Sequence, residues 1–479
     1  MRGGNVASAA PGKVTVWGWF GRLLMALDGD ARAARWTLAG AWGATRLALF
    51  VGMLLSHSYC DPGFYKYAGY LAAGQWPYRN VPAEYPPLAI LLLLLPALPL
   101  LPFAGIAPRP DRAFNTPIIA LPHPNPVRYA AYGISFAVEM LVIDALTLWL
   151  LRRAARRHLA GDPRGVRTGL LYTVLVFLSG ALLQKFDLVV GTLCLVAVVA
   201  MAERRTWLAW GAIAAATLVK GFPLLALPVL IGYELRQARA ATLLEALRAR
   251  QGALGRGALA FGGALAAPTL VVVIFAGVPA VVNTITYQTV RGTEIESLYA
   301  NVMLALGWLP GLGVTTAFSA EGLARIVHSR LEALVAPASI VLLAGALLAA
   351  YAATGKALAQ RRDTRRRRLD GLQLLTAGVA CVLLAFLLTF RVLPAHYLLV
   401  ILPLAALLRL PSRRLQRLWI GGLIGVAVLG QVVEGTWQAL VGLAPGAVLL
   451  LSVRNIAWIV AFAALVVALW QRPVELART

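Results

Sequence analysis

Apolar runs, several of them long enough to cross a bilayer, are divided by short arginine-rich connectors and dominate this chain. Crossing the hydrocarbon core takes about 20 helical residues. The runs fall at 37–56, 86–106, 129–151, 168–184, 187–202, 206–233, 257–281, 333–353, 371–389, 397–410, 418–440 and 448–470. Inside hydrocarbon a backbone must satisfy its own hydrogen bonds, so these runs are predicted to be helices. Only 13% of the residues are charged, about half the share of a soluble domain. No polar stretch is long enough to build a separate soluble domain. The expected fold class is all-α, a polytopic transmembrane helical bundle of about twelve spans.

The basic connectors are 152–167, 203–205, 234–256, 356–368 and 409–417. They carry much of the formal net charge of +24. Short arginine clusters beside apolar runs record the positive-inside rule and suit an anionic cytoplasmic leaflet. They lack interleaved aromatics, so membrane lipid is an expected partner and nucleic acid is not. With all these connectors on the cytoplasmic side, one assumption completes the threading. Run 206–233 must be two short helices broken at Lys220-Gly221-Phe222-Pro223, where proline interrupts a helix. Run 86–106 is then re-entrant or interfacial within a long first outer loop, 57–128. A rival threading makes 86–106 a true span and 206–233 a single one. It strands Lys220 at mid-membrane, at a cost of about 2.5–3.5 kcal/mol.

The preferred threading divides the chain into a cytoplasmic N-terminal arm (1–36), a transmembrane module (37–410) and C-terminal transmembrane helices (411–479). A second large outer loop spans 282–332, and its stretch Leu298 to Leu312 is expected to be half-buried. Residues 1–35 show no secretory signal. Cys60, Cys194 and Cys381 give neither a disulfide framework nor zinc spacing. The threading places Asp61, Glu84, Gln184, Lys185, Asp187, Lys220, Arg291, Glu294, Glu296, Arg391 and His396 on the outer side. Ionisable groups in membrane segments are functional-site candidates, and so many on one face point to a single outward-facing site.

Asp61, in Cys60-Asp61-Pro62, has two compatible readings. It caps a helix starting at Pro62, and as a surface carboxylate it can take a proton from an acceptor hydroxyl. Lys220, Arg291 and Arg391 are cations fit to hold a phosphate, with arginine as a fork and lysine as a point charge. Snorkelling toward lipid headgroups is the plainer role for the arginines. His396 can bond a phosphate oxygen or serve structure. Lys185 and Asp187 flank Phe186 and can pair with each other or with a substrate hydroxyl. Glu84 precedes a rigid Tyr85-Pro86-Pro87 turn. The tryptophans and tyrosines near span ends are mostly belt residues, while Trp76, Tyr78 and Tyr85 lie within the first loop, where rings can stack on a sugar. No metal site is expected. The chain has no Walker A, dinucleotide-binding or HExxH pattern, so no cofactor is expected either. Outside the cytoplasm there is no sugar-nucleotide supply, so a sugar donor there would be lipid-linked.

An aspartate follows the first span, then Phe64-Tyr65-Lys66-Tyr67-Ala68 leads to Gly74 and Pro77-Tyr78-Arg79. Glu84-Tyr85-Pro86-Pro87-Leu88, Val219-Lys220-Gly221-Phe222-Pro223, the Arg291 to Ser297 loop and Pro394-Ala395-His396-Tyr397 complete the pattern. This order resembles the glycosyltransferase-C superfamily, nearest its bacterial polyprenol-phosphate-mannose-dependent family numbered 87, over most of 37–410. The resemblance implies an integral-membrane inverting glycosyltransferase of the bacterial inner membrane, with its site on the extracytoplasmic face. The donor would be a polyprenyl-phosphate sugar, mannose first and arabinofuranose second. The acceptor would be a glycan or glycolipid hydroxyl. Asp61 would be the catalytic base. Lys220 would face the lipid phosphate, with the Arg291 loop and His396 at further phosphate or donor contacts. Apart from the resemblance, Arg391 is expected to hold the phosphate, and Tyr65, Tyr78, Glu84, Tyr85, Lys185, Asp187 and Glu294 are expected to contact substrate.

The family often has Gly-Gln-x-Asn where this chain has Gln184-Lys185-Phe186-Asp187, and Pro-Gln-Tyr where it has Ala395-His396-Tyr397. Both changes leave the sugar open. Relatives also begin a true span at the Pro-Pro turn, which favours the rival threading. A flippase or transporter of lipid-linked sugars is the alternative function. It needs charges along a path between both faces and gains nothing from internal repeats, which are absent.

Overall fold

The computed structural model describes residues 31–471 except 104, 109–124, 160–161, 163, 239–241, 291, 308, 310–312, 319–323, 330 and 360–370. Most of the N-terminal arm and the arginine run 361–368 lie outside the described residues. In chain order the helices begin with α1 Ala31–Ser56, α2 Pro62–Ala72, and α3 Pro87–Leu94 with its 3-10 extension Leu95–Leu100. Next come α4 Pro126–His158, α5 Val166–Ser179, α6 Asp187–Ala202, α7 Thr206–Val219, α8 Leu227–Gln237 and α9 Leu243–Ala276. Then follow α10 Val278–Val290, α11 Leu298–Leu306, α12 Glu332–Ala359 and α13 Gly371–Thr389. The last are α14 Leu398–Leu407, α15 Arg413–Gly435, α16 Trp437–Val441 and α17 Pro445–Trp470. A small antiparallel hairpin, β1 Val314–Phe318 with β2 Ala324–Ser329, pairs Thr316 with Ile326.

Seven of the described helices (α1, α4, α9, α12, α13, α15 and α17) are long and apolar enough to cross a membrane. Their outward faces carry bare apolar side chains. Leu55 is 78% exposed, Leu259 78%, Ile274 78% and Leu348 70%. Patches of this kind are not tolerated in water and mark a lipid-facing surface. At the centre stand α6, α13 and α14, hydrophobic all round because protein surrounds them. Every residue of α14 is buried. Gly191 lets α6 touch α14, since a Cβ there would lie 2.6 Å from the Val400 carbonyl oxygen. Small residues at such crossings let backbones meet.

Run 206–233 is broken at Lys220. Helix α7 stops at Val219, Lys220 is extended, and a 3-10 turn Phe222–Ala226 precedes α8. Pro223 and Pro228 cannot donate to the preceding turns, so the chain restarts there.

The 86–106 stretch does not run the length of α4. Tyr85 packs on Phe64 (6.3 Å between ring centres), which packs on Phe136 (5.5 Å). Further along, the Tyr132 hydroxyl donates to the Leu93 carbonyl (2.7 Å), and the Arg128 guanidinium donates to the Gly105 carbonyl (3.4 Å). The level of the segment on α4 therefore moves only from 136 to 128, a rise of about 12 Å, against about 30 Å for the hydrocarbon core. Cys60, before the segment, also meets the start of α4, through the Tyr129 hydroxyl. The segment enters and leaves at one end of the bundle, here called the upper end. Arginines gather at the lower end. Glu203 pairs there with Arg153 (3.4 Å), Arg157 (2.7 Å) and Arg205 (3.7 Å), and Glu234 pairs with Arg250.

Candidate active site at the upper end

The site is built around the turn between α5 and α6. Gly180 ends α5 in the left-handed region (φ 66°), which glycine adopts without penalty. A Cβ there would strike the Gln431 side chain at 2.3 Å. The Gln184 amide donates to the Ser58 carbonyl (2.9 Å) and ties the turn to the end of α1. Lys185 and Asp187 then project to either side of Phe186, and each makes an ion pair.

On one side, Lys185 Nζ donates to Asp61 Oδ2 at 2.7 Å. Asp61 Oδ1 accepts the Gly63 amide at 2.9 Å, with Pro62 in the first turn of α2. Asp61 is thus both the cap of α2 and a member of the site. Burial opposes the charge on Lys185, but Asp61, then Asp187 and Glu434, more than restore it, so its pKa is raised. The Asp61 side chain is 34% exposed and that of Lys185 21%, so this pair is partly open to solvent.

On the other side, Asp187 opens α6, where a helix N-terminus favours an anion. Its Oδ1 accepts from Lys220 Nζ at 2.6 Å, and His396 Nε2 lies 4.0 Å from its Oδ2. Lys220 comes from the break after α7 and sits 4.2 Å over the Tyr397 ring and 5.3 Å from that of Phe186. Such stacking contributes about 0.5–2 kcal/mol. Phe186 packs between Phe64 (5.3 Å) and Tyr85 (5.4 Å), forming an aromatic floor beneath the two pairs.

A third group adjoins these. The Glu294 amide donates to the Arg391 carbonyl (3.0 Å), and the Tyr299 hydroxyl donates to the Thr389 carbonyl (2.8 Å). Arg454 of α17, fully buried, holds both loops. It donates to Glu296 Oε1 (2.6 Å), the Glu296 carbonyl (2.9 Å) and the Leu393 carbonyl (2.7 Å). Glu434, near the end of α15, is one of the charges that act on both Lys185 and Arg454.

The structure therefore brings Asp61, Lys185, Asp187, Lys220 and His396 into one cluster, with Glu294 and Arg391 beside it. Arg291 lies outside the described residues. Tyr65 is only 2% exposed and sits between Tyr129 (5.9 Å) and Tyr132 (5.6 Å), under the Asp61 turn. The Tyr78 hydroxyl donates to the Tyr85 carbonyl (2.6 Å) and closes the loop that carries both. The Glu84 amide donates to the Tyr67 hydroxyl at 3.2 Å. Among the described residues, no three His, Cys, Asp or Glu side chains form a metal-ligating group.

Sequence reasoning missed Glu434, Arg454 and a buried pair lower in the bundle. Arg46 of α1 forks onto Asp144 of α4, with Nε to Oδ2 at 2.9 Å and Nη2 to Oδ1 at 2.8 Å. Trp42 (2.6 Å) and the Tyr172 hydroxyl (2.7 Å) also donate to Asp144. This knot fastens α1, α4 and α5 below the Asp61 turn. Its signal was present: opposite charges inside two separate apolar runs. Neither a protein-family profile nor a curated protein sequence matches this chain.

Proposed function

We propose that this protein is an inverting glycosyltransferase that uses a polyprenyl-phosphate sugar and acts at the extracytoplasmic face. In this reading the chain crosses the membrane twelve times, through α1, α4 to α9, α12 to α15 and α17. The arginine-rich lower end faces the cytoplasm, as the positive-inside rule requires. The observation that carries the proposal is the pairing of two chemistries on one turn. A half-open carboxylate, Asp61, stands on one side of Phe186, and a lysine-histidine cluster on the other.

Asp61 takes the proton of an acceptor hydroxyl as its oxygen attacks the anomeric carbon. The bond from that carbon to the phosphate oxygen breaks, and the negative charge passes to the lipid phosphate. Lys220 and His396, with Arg391 nearby, stabilise that charge. Mannose is the first choice of sugar and arabinofuranose the second, on the resemblance described above. The acceptor is a hydroxyl of an envelope glycan or glycolipid.

The test is to incubate the purified protein with polyprenyl-phosphate mannose, arabinose and glucose in separate reactions, with release of lipid phosphate as the readout. Release with one sugar, abolished in Asp61→Asn, supports the proposal. No release with any, together with movement of intact donor across vesicles, favours a flippase.

A further inference from the structure

At the lower end, away from the proposed site, four arginines line one open cleft. Arg167 of α5, Arg409 of the α14–α15 connector, and Arg413 and Arg417 of α15 line a cavity of about 430 Å³. Leu171 and Pro411 form part of its apolar wall, and among the described residues no carboxylate lines it. Asp162, which is not part of the lining, acts by its charge on Arg409. Its two oxygens accept the backbone amides of Arg167 (3.3 Å) and Thr168 (2.8 Å). Elsewhere at this end the arrangement is different, since Glu203 gathers three arginines and Glu234 holds Arg250.

Arg409 is fixed in advance. Its Nη1 donates to the Ala406 (2.7 Å) and Leu408 (3.0 Å) carbonyls, and its Nη2 to Thr168 Oγ1 (2.9 Å). The first turn of α15 borders the cleft without a side-chain cap, whereas the first amides of α5 are already taken by Asp162. The α15 N-terminus adds positive potential for an anion. On α15, Leu418 follows Arg417 and is 41% exposed.

We propose that this cleft binds the phosphodiester head of an anionic glycerophospholipid. The arginines hold the phosphate as planar forks, and the acyl chains run along Leu171 and Leu418. Basic pockets between transmembrane helices suit such heads. A soluble phosphate shares the charge but gains nothing from the apolar wall.

The test is native mass spectrometry of the full chain released from detergent with dioleoyl phosphatidylglycerol, dioleoyl phosphatidylcholine or inorganic phosphate. Phosphatidylglycerol is expected to bind as one retained adduct, about tenfold tighter than phosphatidylcholine. Arg413→Gln with Arg417→Gln, both at exposed positions, should weaken it about tenfold to thirtyfold. The charge-matched pair Arg32→Gln with Arg35→Gln, on α1, should change it less than about twofold. Each single variant, Arg413→Gln or Arg417→Gln, should lose part of the affinity and replaces the pair if that misfolds. Equal binding of the two lipids, equal weakening by both variant pairs, or full displacement by millimolar inorganic phosphate would overturn the proposal.

Discussion

Two clusters of opposite charge sit in the same bundle, and they are built for different ends. The Arg46–Asp144 knot is closed. Its side chains are 3% and 0% exposed, and Asp144 accepts four hydrogen bonds from Arg46, Trp42 and Tyr172. A carboxylate offers about four lone-pair positions, so this one is saturated. The Asp61–Lys185 pair is open on one side, with Asp61 34% and Lys185 21% exposed, and in the Asp187–Lys220 pair Lys220 is 13% and Asp187 2% exposed. Charge in an apolar run is thus not in itself a mark of chemistry. What separates the two clusters is whether the protein has already satisfied the charge, and whether anything else can reach it.

That contrast can be broken by substitution, and the largest effect belongs to the open cluster. Asp61→Asn should lower sugar transfer by about 10²–10⁴-fold, the range for a lost general base. Thermal stability should barely change, because asparagine still caps α2. A purified, folded variant with normal transfer would remove Asp61 from catalysis. Next, Asp144→Asn should cost about 3–5 kcal/mol by leaving Arg46 buried opposite a neutral amide. It should show as a lower unfolding temperature, with activity per folded molecule retained. The apolar pair Arg46→Met with Asp144→Leu should recover most of that loss, whereas no double replacement of Asp61 and Lys185 should recover activity.

Smaller effects sharpen the picture. Lys220→Ala should reduce donor kcat/KM by about tenfold to a hundredfold, the loss of about one charge-assisted contact. Steady-state kinetics with donor and acceptor varied in turn is the check, and equal loss for both counts against a phosphate role. The smallest effect is expected for Tyr172→Phe, which removes one of the four donors to Asp144 and should cost about 1–3 kcal/mol in chemical unfolding with no kinetic change.

Much of this was legible in the residues, for physical reasons. Long apolar runs have one stable backbone solution in lipid, which made the helical class readable. Pro223 and the charge of Lys220 both disfavoured a continuous helix, and the chain does break there. Asp61, Lys185, Asp187, Lys220 and His396 were expected on one face, and they meet. Their pairing was not readable. The flanking residues of Phe186 serve two different partners, Asp61 and Lys220, and only the Gly180 turn determines which.

The Arg46–Asp144 knot was passed over because a single charge barely alters the hydrophobicity of a 20-residue window, and its partner is 98 positions away. Arg454 was hidden in the same manner inside α17. Alternating aromatics gave no hint that Tyr65 points inward while Trp76 remains 49% exposed. The hairpin at Val314 to Ser329 went unread, since five or six residues of strand leave little periodicity inside a loop.

The shallow course of Pro87–Leu100 has a consequence for the surrounding bilayer. Where a full-height helix would present a continuous wall to both leaflets, this flank offers a ledge that ends about 12 Å down α4. With the upper end at the membrane surface, as proposed, acyl chains of the nearer leaflet would meet that ledge and shorten or splay beside it. The two phases would come closest together there, a few residues from Tyr85 and the aromatic floor. A greasy tail and a water-borne partner could meet at that step without either leaving its own medium.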